Sequence, residues 1–404
     1  MRRLFQTGHW LWVEAQLRAP AWAHKRLLPG LHRAKELGRL RPLLAVHRLR
    51  GENAAGSLVV DYVGRNIRPS LEKQLFDATP RADEPRRVPL WRAALLADET
   101  DADLTVVVGG PQLIGRLPRA GAIVLPFYVQ LIVDVNGCWD DLRLRFHRSV
   151  RRSVFRKIRK FGYEYEVSNC WRDFEEFYLE MYAPTLAQRK GELASPKSKR
   201  EAGQIFKHGG VLHLVKRDGR YVAGALVRPI DSMLCGELLG VLHGDEQLVR
   251  EGSLGAAIYA VVHWANRNGY QKVDMGGVVP RLNNGVFQAK RRWGATVMPS
   301  PTMHKQIWIK IHRRTPAVAH FFKENPLITL GPDKRLHGLI VVDDPEDVTE
   351  DVQQEWVSRY ATPGLVDLRA CTVADLMADG TGNGDAGRRI VAALSVDDSE
   401  AGED

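Results

Sequence analysis

The sequence predicts an α/β (α+β) fold in which a mixed sheet is flanked by helices. Three observations support this class. Helical periodicity dominates residues 142–161, three consecutive β-type runs follow at 211–242, and helix and strand patterns then alternate up to residue 311. With 44% hydrophobic residues in 404, the chain has enough apolar material for one large core or two modest ones.

The N-terminal third begins with an ambiguous segment. Residues 1–50 combine several Trp and Leu side chains with many Arg, Lys and His residues, which fits either a helical cap or an amphipathic segment at a membrane interface. Short β-branched runs at Gly56–Val63 and Leu104–Val108, with a helical pattern at Leu90–Ala97 between them, predict a first α/β region. Residues Ala122–Val135 continue it as strand material.

A strongly basic helix is predicted next. Apolar residues recur every three or four positions, which places them on one helix face: Leu142, Phe146, Val150, Val154, Ile158 and Phe161. Nine Arg and Lys residues, and no acidic residue, cover the remainder of this helix. The basic stretch Arg143–Lys160 therefore fits contact with tRNA phosphates or with an anionic membrane surface.

The central part of the chain predicts the sheet. Three runs with very short links should be antiparallel neighbours, namely Val211–Val215, Tyr221–Arg228 and Ser232–Leu242. The elements expected after them are a helix at Ser253–Asn268, a strand at Lys272–Met275, a helix at Asn284–Trp293 and a strand at His304–Ile311.

Charge divides the chain sharply. The formal net charge is +10, but residues 343–404 hold 16 acidic and 4 basic residues, so the first 342 residues carry a net charge of +22. A basic body favours anionic partners. We expect residues 343–404 to form an acidic, partly disordered tail, with Val396–Asp404 disordered, and we expect the residues after about Glu350 to be dispensable for the folded core.

The cysteine spacing and the hydropathy of the chain indicate whether it binds a metal and where in the cell it is located. The four cysteines have no metal-ligand spacing, so we expect reduced thiols and no metal site. No run of about 18 apolar residues is present, and no signal-peptide pattern opens the chain. A cytoplasmic protein is expected, with peripheral contact at the inner face of the membrane left open.

One glycine-containing turn is a candidate cofactor site. Small residues at Arg250–Ala257 stand where the strand series passes into a helix N-terminus, which presents unpaired N–H groups to a pyrophosphate. Close packing of that helix on the sheet is the alternative reason for the glycines. A nucleotide-type thioester carrier would fit this turn, and the residues predicted to bind it are Arg250, Gly252, Ser253, Leu254, Gly255 and Ala256.

This turn and three further segments resemble a known superfamily. Arg250–Ala257 is similar to the acyl-CoA motif of the GNAT superfamily, although its glycine spacing departs from the usual form. Arg143–Val167, Lys272–Gly277 and Gln288–Ala295 together resemble the Fem-type peptidyltransferases and the CelD-type acetyltransferases associated with polysaccharide synthesis. In the last block Ala289 stands where that family usually has Phe.

The resemblance implies a GNAT-like mixed sheet flanked by helices, in two GNAT-like halves of which the first is degenerate. The expected division is a Trp-rich segment at 1–50, the degenerate half at 51–139, the acyltransferase domain at 140–342 and the tail at 343–404. The resemblance also implies that Lys290 lies in the substrate cleft, whereas a solvated lysine is the alternative.

Three residues are candidates for catalysis. Glu237 is flanked by apolar residues that would favour its protonated form, which makes it a candidate base, although a solvent-facing strand residue is the alternative. Asp274 either orients the amine or bonds the glycine turn after it, and Lys290 would stabilise negative charge. His243 is a weaker candidate base that more simply belongs to the surface.

These residues indicate an N-acyltransferase that moves an acyl group from acetyl-CoA or another acyl-CoA to an amine. The acceptor would be a small molecule or a cell-envelope or polysaccharide precursor. Two alternatives remain open. One is an aminoacyl-tRNA-dependent peptidyltransferase acting on a cell-wall precursor, and the other is a non-catalytic protein that binds nucleic acid or a membrane surface.

Overall fold

The computed structural model describes residues 43–64, 68–98, 100–188, 197–300, 305–344, 346, 348–379 and 388–392. Most of the N-terminal segment 1–50 lies outside these ranges, as does Val396–Asp404, so the expectations for both stretches stay predictions.

The strands of the described chain are β1 Leu43–Asn53, β2 Gly56–Val63, β3 Arg81–Ala82, β4 Arg86–Pro89, β5 Leu104–Gly109, β6 Ala122–Pro126, β7 Val129–Asp134, β8 Glu164–Ser168, β9 Val211–Arg217, β10 Arg220–Ile230, β11 Met233–Val241, β12 Lys272–Val278, β13 Thr296–Pro299, β14 Gln306–Ile311, β15 Leu327–Leu330, β16 Leu336–Val341, β17 Leu365–Cys371 and β18 Arg388–Ala392.

The α-helices are α1 Arg68–Leu75, α2 Pro111–Ile114, α3 Trp139–Arg145, α4 Phe155–Lys160, α5 Trp171–Glu176, α6 Ala183–Gln188, α7 Lys199–Lys207, α8 Glu246–Glu251, α9 Ser253–Arg267, α10 Gly285–Arg291, α11 Pro316–Glu324, α12 Glu350–Tyr360 and α13 Val373–Asp379. Short 3₁₀ turns lie at Leu90–Leu96 and Leu242–Gly244, and π-type turns at Val150–Val154 and Phe177–Tyr182. The expected α/β class, with mixed sheets flanked by helices, is confirmed.

The chain forms two compact units, each assembled from stretches that are distant in sequence. Of the described residues, the first unit contains Leu131–Gly276 and Ala289–Ala295. The second contains the residues up to Gln130, then Gly277–Gln288, and the residues from Thr296 onward. The units therefore cross the sequence borders expected at residues 51, 140 and 343.

The sheet of the first unit has the strand order β7-β12-β11-β10-β9-β8. Strands β9, β10 and β11 are consecutive antiparallel neighbours, as their short links predict. Strand β12 pairs with β11 in parallel, because helix α9 carries the chain back to the same edge before β12 begins. Strand β8 and helices α7 and α8 are elements that the sequence patterns did not indicate.

The basic helix predicted as continuous over 142–161 is interrupted. Helix α3 ends at Arg145, the backbone of the next residue, Phe146, is extended, and a π-type turn at Val150–Val154 precedes α4. Apolar positions spaced by four residues exceed the 3.6 residues of an α-helical turn. The break and the wider π turn absorb this excess, so that Phe146 and Val150 are both buried.

The second unit contains two sheets. The first has the strand order β3-β1-β2-β5-β14-β6, with β4 also paired to β1, and its core includes the fully buried Trp308. The strands expected at Gly56–Val63 and Leu104–Val108 are present here. The stretch expected as one strand, Ala122–Val135, is divided between β6 and β7.

The acidic C-terminal region contributes to the second sheet of this unit, which has the strand order β15-β16-β17-β18. Strand β17 pairs in parallel with β16, and Leu365, Leu368 and Ala370 on β17 are buried. The burial of these residues argues against the expectation that the residues after about Glu350 are dispensable for the folded core. The sequence did not indicate this strand, because the acidic residues of the surrounding region outweigh the short apolar pattern of Leu365–Cys371.

Replacing Leu368 by alanine tests this placement. Leu368 is 0% exposed, and removing a buried leucine side chain is expected to lower the free energy of unfolding by about 2–5 kcal/mol. Val366→Ala, at a half-buried position of the same strand, is the control and should lower it by about 1 kcal/mol or less. Urea denaturation measures both, and equal midpoints would contradict a core position for β17.

Candidate active site

The first unit contains an opening where strands β11 and β12 part. Their parallel pairing ends at Cys235 and Asp274, although both strands continue beyond these residues. On the other side of β11, Leu226 pairs with Leu238 while Val227 pairs with Gly236, so Glu237 is the extra residue of a β-bulge. Because a bulge bends its strand and ends regular pairing, it accounts for the opening between β11 and β12.

Asp274 lies at the start of this opening and is almost completely buried, with 6% exposure. Its Oδ1 accepts a hydrogen bond of 2.7 Å from the Gly276 N–H. Burial raises the pKa of the Asp274 carboxyl to about 6, against the lowering effects of the Gly276 hydrogen bond and the Lys290 charge, and nearby Glu237 raises it further. Asp274 is therefore a carboxylate poised to exchange a proton near neutral pH.

Lys290 reaches the same place from helix α10. Its Nζ donates a hydrogen bond of 3.0 Å to the carbonyl oxygen of Gly276. Gly276 has a φ of +80°, a conformation that side chains disfavour, and it bonds Asp274 through its N–H and Lys290 through its C=O. One glycine residue thus fixes the acid and the ammonium relative to each other.

Gly236 allows the two strands to approach before they part. A Cβ atom at this position would lie 3.0 Å from the carbonyl oxygen of Asp274, a distance that backbone atoms rarely accept. The backbone of β11 beyond Cys235 does not pair with β12, so its N–H groups on that side are candidates for binding a developing oxyanion.

Glu237 lies between two cations. Its Oε1 accepts from Arg228 Nε at 2.9 Å, and its Oε2 lies 3.1 Å from Lys197 Nζ. The expectation of apolar surroundings is wrong, because neighbouring Leu234 and Leu238 are buried in the unit while Glu237 points to charged partners. The bulge explains the error, since it changes the direction of one side chain relative to strict strand alternation.

The structure brings Asp274, Lys290 and Glu237 together, as the charges of the last two both act on Asp274. Sequence reasoning missed Arg228 and Lys197, for which no spacing signal exists. It gave no role to Cys235, and burial raises the pKa of this thiol to about 12, so it is not a thiolate nucleophile. His243 lies in an exposed turn after β11, 3.4 Å from Glu180.

The turn at Arg250–Ala256 adopts the expected position at the start of helix α9. Gly252 has a φ of +98° and separates α8 from α9. Ser253 is buried, and its hydroxyl has no hydrogen-bond partner in the described structure. Arg250 is exposed, while Lys157 Nζ donates to the Arg250 carbonyl at 2.5 Å, so the turn has positive charge on both sides.

The glycines of this turn also permit close packing. A Cβ atom at Gly255 would lie 3.0 Å from Val154 Cγ1, and one at Gly252 would lie 2.9 Å from Lys157 Cδ. Ligand binding and close helix packing therefore both remain possible reasons for these glycines. Gly255→Val would disturb the packing against Val154 as well as the binding of a ligand. The assignment of an acyl-CoA to Arg250, Gly252, Ser253, Leu254, Gly255 and Ala256 stays a prediction.

The described residues contain no group of three or more His, Cys, Asp or Glu side chains arranged to hold a metal ion. No helix among them has both the length and the apolar character to cross a bilayer.

The chain is similar to several proteins whose structures have been solved. No family model and no curated protein matches the chain. A crystal structure of FemX is 14% identical over 67% of this chain and 89% of that one, with a TM-score of 0.37. L-PGS from Bacillus licheniformis is 14% identical over 67% and 86%, with a TM-score of 0.33.

A GCN5-related N-acetyltransferase from Kribbella flavida is 16% identical over 69% of this chain and 92% of that one, with a TM-score of 0.26. FemX and the GCN5-related enzyme belong to the groups that the sequence resembles. Identities and TM-scores this low do not carry substrates or residue roles over to this chain.

Replacing Asp274 by asparagine is expected to stabilise the folded protein at neutral pH. Asparagine can still accept the Gly276 N–H, but it has no charge to bury. Because the folded pKa of Asp274 is raised from 3.8 to about 6, the folded wild type binds this proton more tightly than the unfolded chain. Its stability therefore falls as pH rises through this window and then levels off.

The gain in free energy of unfolding for Asp274→Asn should be largest above pH 7, on the order of 1–3 kcal/mol, and should shrink toward pH 4. Urea denaturation of both proteins at pH 5 and pH 8 measures it. A variant less stable than the wild type at pH 8 would show that Asp274 is not a buried carboxyl with a raised pKa.

Proposed function

We propose that the protein is an N-acyltransferase whose reaction takes place where β11 and β12 part. The observation that carries this proposal is the pairing of a buried carboxyl of near-neutral pKa, Asp274, with the ammonium of Lys290 across Gly276. Acyl transfer to an amine needs both a base for the amine proton and a positive group for the developing oxyanion.

In the proposed reaction the amine nitrogen attacks the acyl carbonyl carbon, which forms the C–N bond and then breaks the C–S bond of the thioester. Asp274 takes the proton that the amine loses, and this is the proton that the leaving thiolate needs to become a thiol. Lys290 and the unpaired N–H groups of β11 stabilise the oxyanion. Glu237 adds negative charge that keeps Asp274 basic.

The proposed donor is acetyl-CoA or another acyl-CoA. Helix α9 has 15 residues, and its first turn presents backbone N–H groups between Arg250 and Lys157. A helix N-terminus flanked by cations suits a pyrophosphate. The proposed acceptor is an amine of a small molecule or of a cell-envelope or polysaccharide precursor.

An aminoacyl-tRNA is the second candidate donor. The observation that favours it is the row of exposed arginines before and within α4, which suits a phosphate backbone: Arg148, Arg151, Arg152, Arg156 and Arg159. Mass spectrometry of amine acceptors incubated with acetyl-CoA, longer acyl-CoAs or aminoacyl-tRNA decides between the two donors. A folded protein that transfers nothing from either class would contradict the proposal.

Lys290→Met is expected to lower turnover by about 10² to 10³, because it keeps the side-chain stem but removes the charge next to the oxyanion. Lys290→Arg should keep part of the activity, since the charge remains and only its geometry changes. Lys272→Met, at an exposed position where β12 begins, is the matched control and should turn over at the wild-type rate. Equal rates for Lys290→Met and Lys272→Met would remove Lys290 from the mechanism.

The pH profile tests the base. If Asp274 accepts the amine proton, kcat/KM should fall about tenfold per pH unit below about 6, since only the carboxylate form acts. Asp274→Asn should remove this limb and lower the rate by about 10² to 10⁴, whereas Glu246→Gln, at an exposed carboxylate, should change neither. An unchanged acid limb in Asp274→Asn would assign the base to another group.

A further inference from the structure

A cluster of arginines surrounds His147 at the start of the basic helix. The His147 N–H donates to the carbonyl oxygen of Arg292 at 2.8 Å, which joins the segment before Val150 to the end of helix α10. Four arginines act on the His147 ring through their charge, two from each segment: Arg148, Arg151, Arg291 and Arg292. We call these four residues and His147 the arginine cluster.

The cluster is open to solvent. Arg148, Arg151 and Arg292 are exposed, and Arg291 is partly buried. Among the described residues, Arg148 and Arg151 form no ion pair with a carboxylate. His147 is held in place from its own segment, because its Nδ1 lies 2.8 Å from Ser149 Oγ.

Like charges held close together repel one another. Burial and then the surrounding arginines lower the pKa of His147, and burial together with Arg292 lowers the pKa of Arg291. Arg148 and Arg151 lie in this cluster without a carboxylate partner among the described residues. Such an arrangement of positive charge favours an anion that binds from solution.

We propose that the arginine cluster binds the diphosphate group of a substrate. Arginine guanidinium groups bind phosphate oxygens through paired hydrogen bonds, and the exposed Arg148, Arg151 and Arg292, which come from two segments, suit a group with two linked phosphates. Arg291 of the cluster follows Lys290 directly in helix α10, so we assign the diphosphate to a molecule that takes part in the reaction at the candidate active site. This last assignment rests on the proposed function, whereas diphosphate binding itself does not.

A flat membrane surface fits the neighbouring residues less well. Leu144 is 61% exposed, but Asp140, four residues before it in helix α3, has a 75% exposed side chain. Residues four apart lie on the same helix face, so this apolar side chain lies beside the Asp140–Arg143 ion pair rather than in a continuous apolar or basic surface. A discrete anion needs only the arginines and no apolar surface next to them.

The double variant Arg148→Gln/Arg151→Gln tests the site in the full chain. Calorimetry with inorganic pyrophosphate should show an affinity at least about tenfold weaker than that of the wild type, as expected for the loss of charge-assisted hydrogen bonds. The matched control is Arg156→Gln/Arg159→Gln, which removes the same charge from exposed positions of α4 and should stay within about twofold of the wild type.

A second readout follows the His147 ring by NMR. Bound diphosphate offsets the arginine charges, so the pKa of His147 should rise on addition of pyrophosphate to the wild type and to the control variant, but not to Arg148→Gln/Arg151→Gln. Since that variant also relieves repulsion, it should unfold at the same or a higher urea concentration than the wild type. This excludes misfolding as the cause of weak binding.

CoA and UDP, titrated in the same way, distinguish the source of the diphosphate. If only Arg148→Gln/Arg151→Gln loses affinity for CoA, the cluster holds the acyl donor, and the pyrophosphate site proposed at the start of α9 is wrong. If only this variant loses affinity for UDP, the cluster holds a nucleotide-linked acceptor, and the α9 site stays assigned to the donor. Equal losses of pyrophosphate binding in both double variants, or no loss in either, would overturn the proposal. A third result would also overturn the proposal: the wild type does not bind pyrophosphate but binds tRNA or phosphatidylglycerol vesicles, and both double variants weaken that binding equally. The ligand of the cluster would then be an extended polyanion.

Discussion

The candidate site depends on one departure from regular sheet pairing. Glu237 occupies a β-bulge on the side of β10, and the parallel ladder to β12 ends at Cys235 and Asp274. The ion pairs of Glu237 with Arg228 and Lys197 hold the bulged residue in one direction. Without this irregularity β11 and β12 would remain paired, and their backbone groups would bond each other rather than face a substrate.

The buried carboxyl at the opening is unfavourable for the stability of the fold. A carboxyl at 6% exposure is unfavourable when charged, and the unit compensates only partly, with one backbone N–H and one ammonium. The arginine cluster shows the same relation at the surface, where like charges are held together by the backbone bond between His147 and Arg292. Both features are understandable as arrangements made for a ligand, because neither improves the free energy of the isolated fold.

Much of this architecture follows from local sequence. The three antiparallel strands, the helix from Ser253 and the strand from Lys272 have patterns that depend only on near neighbours, and all are present. Asp274 and Lys290 were identifiable because a resemblance pointed to the segments that contain them. The direction of the Glu237 side chain could not be identified from the sequence, because a bulge leaves no periodic signal. Its ion pair with Lys197 could not be identified either, because the two residues are 40 positions apart. Strand β17 in the acidic region could not be identified for a similar reason, because its pairing with β16 leaves no signal in the composition of β17 itself.

The first unit is assembled from separate stretches of the chain, and one of the residues of the candidate site lies on the shorter stretch. The chain leaves this unit after Gly276 and returns to it only for Ala289–Ala295, and Lys290 lies on that returning segment. Lys290 therefore enters the unit only after the chain has passed through twelve residues, Gly277–Gln288, that belong to the other unit. An insertion or deletion among these twelve residues would change the position of the lysine relative to Gly276 without replacing any residue of the first unit.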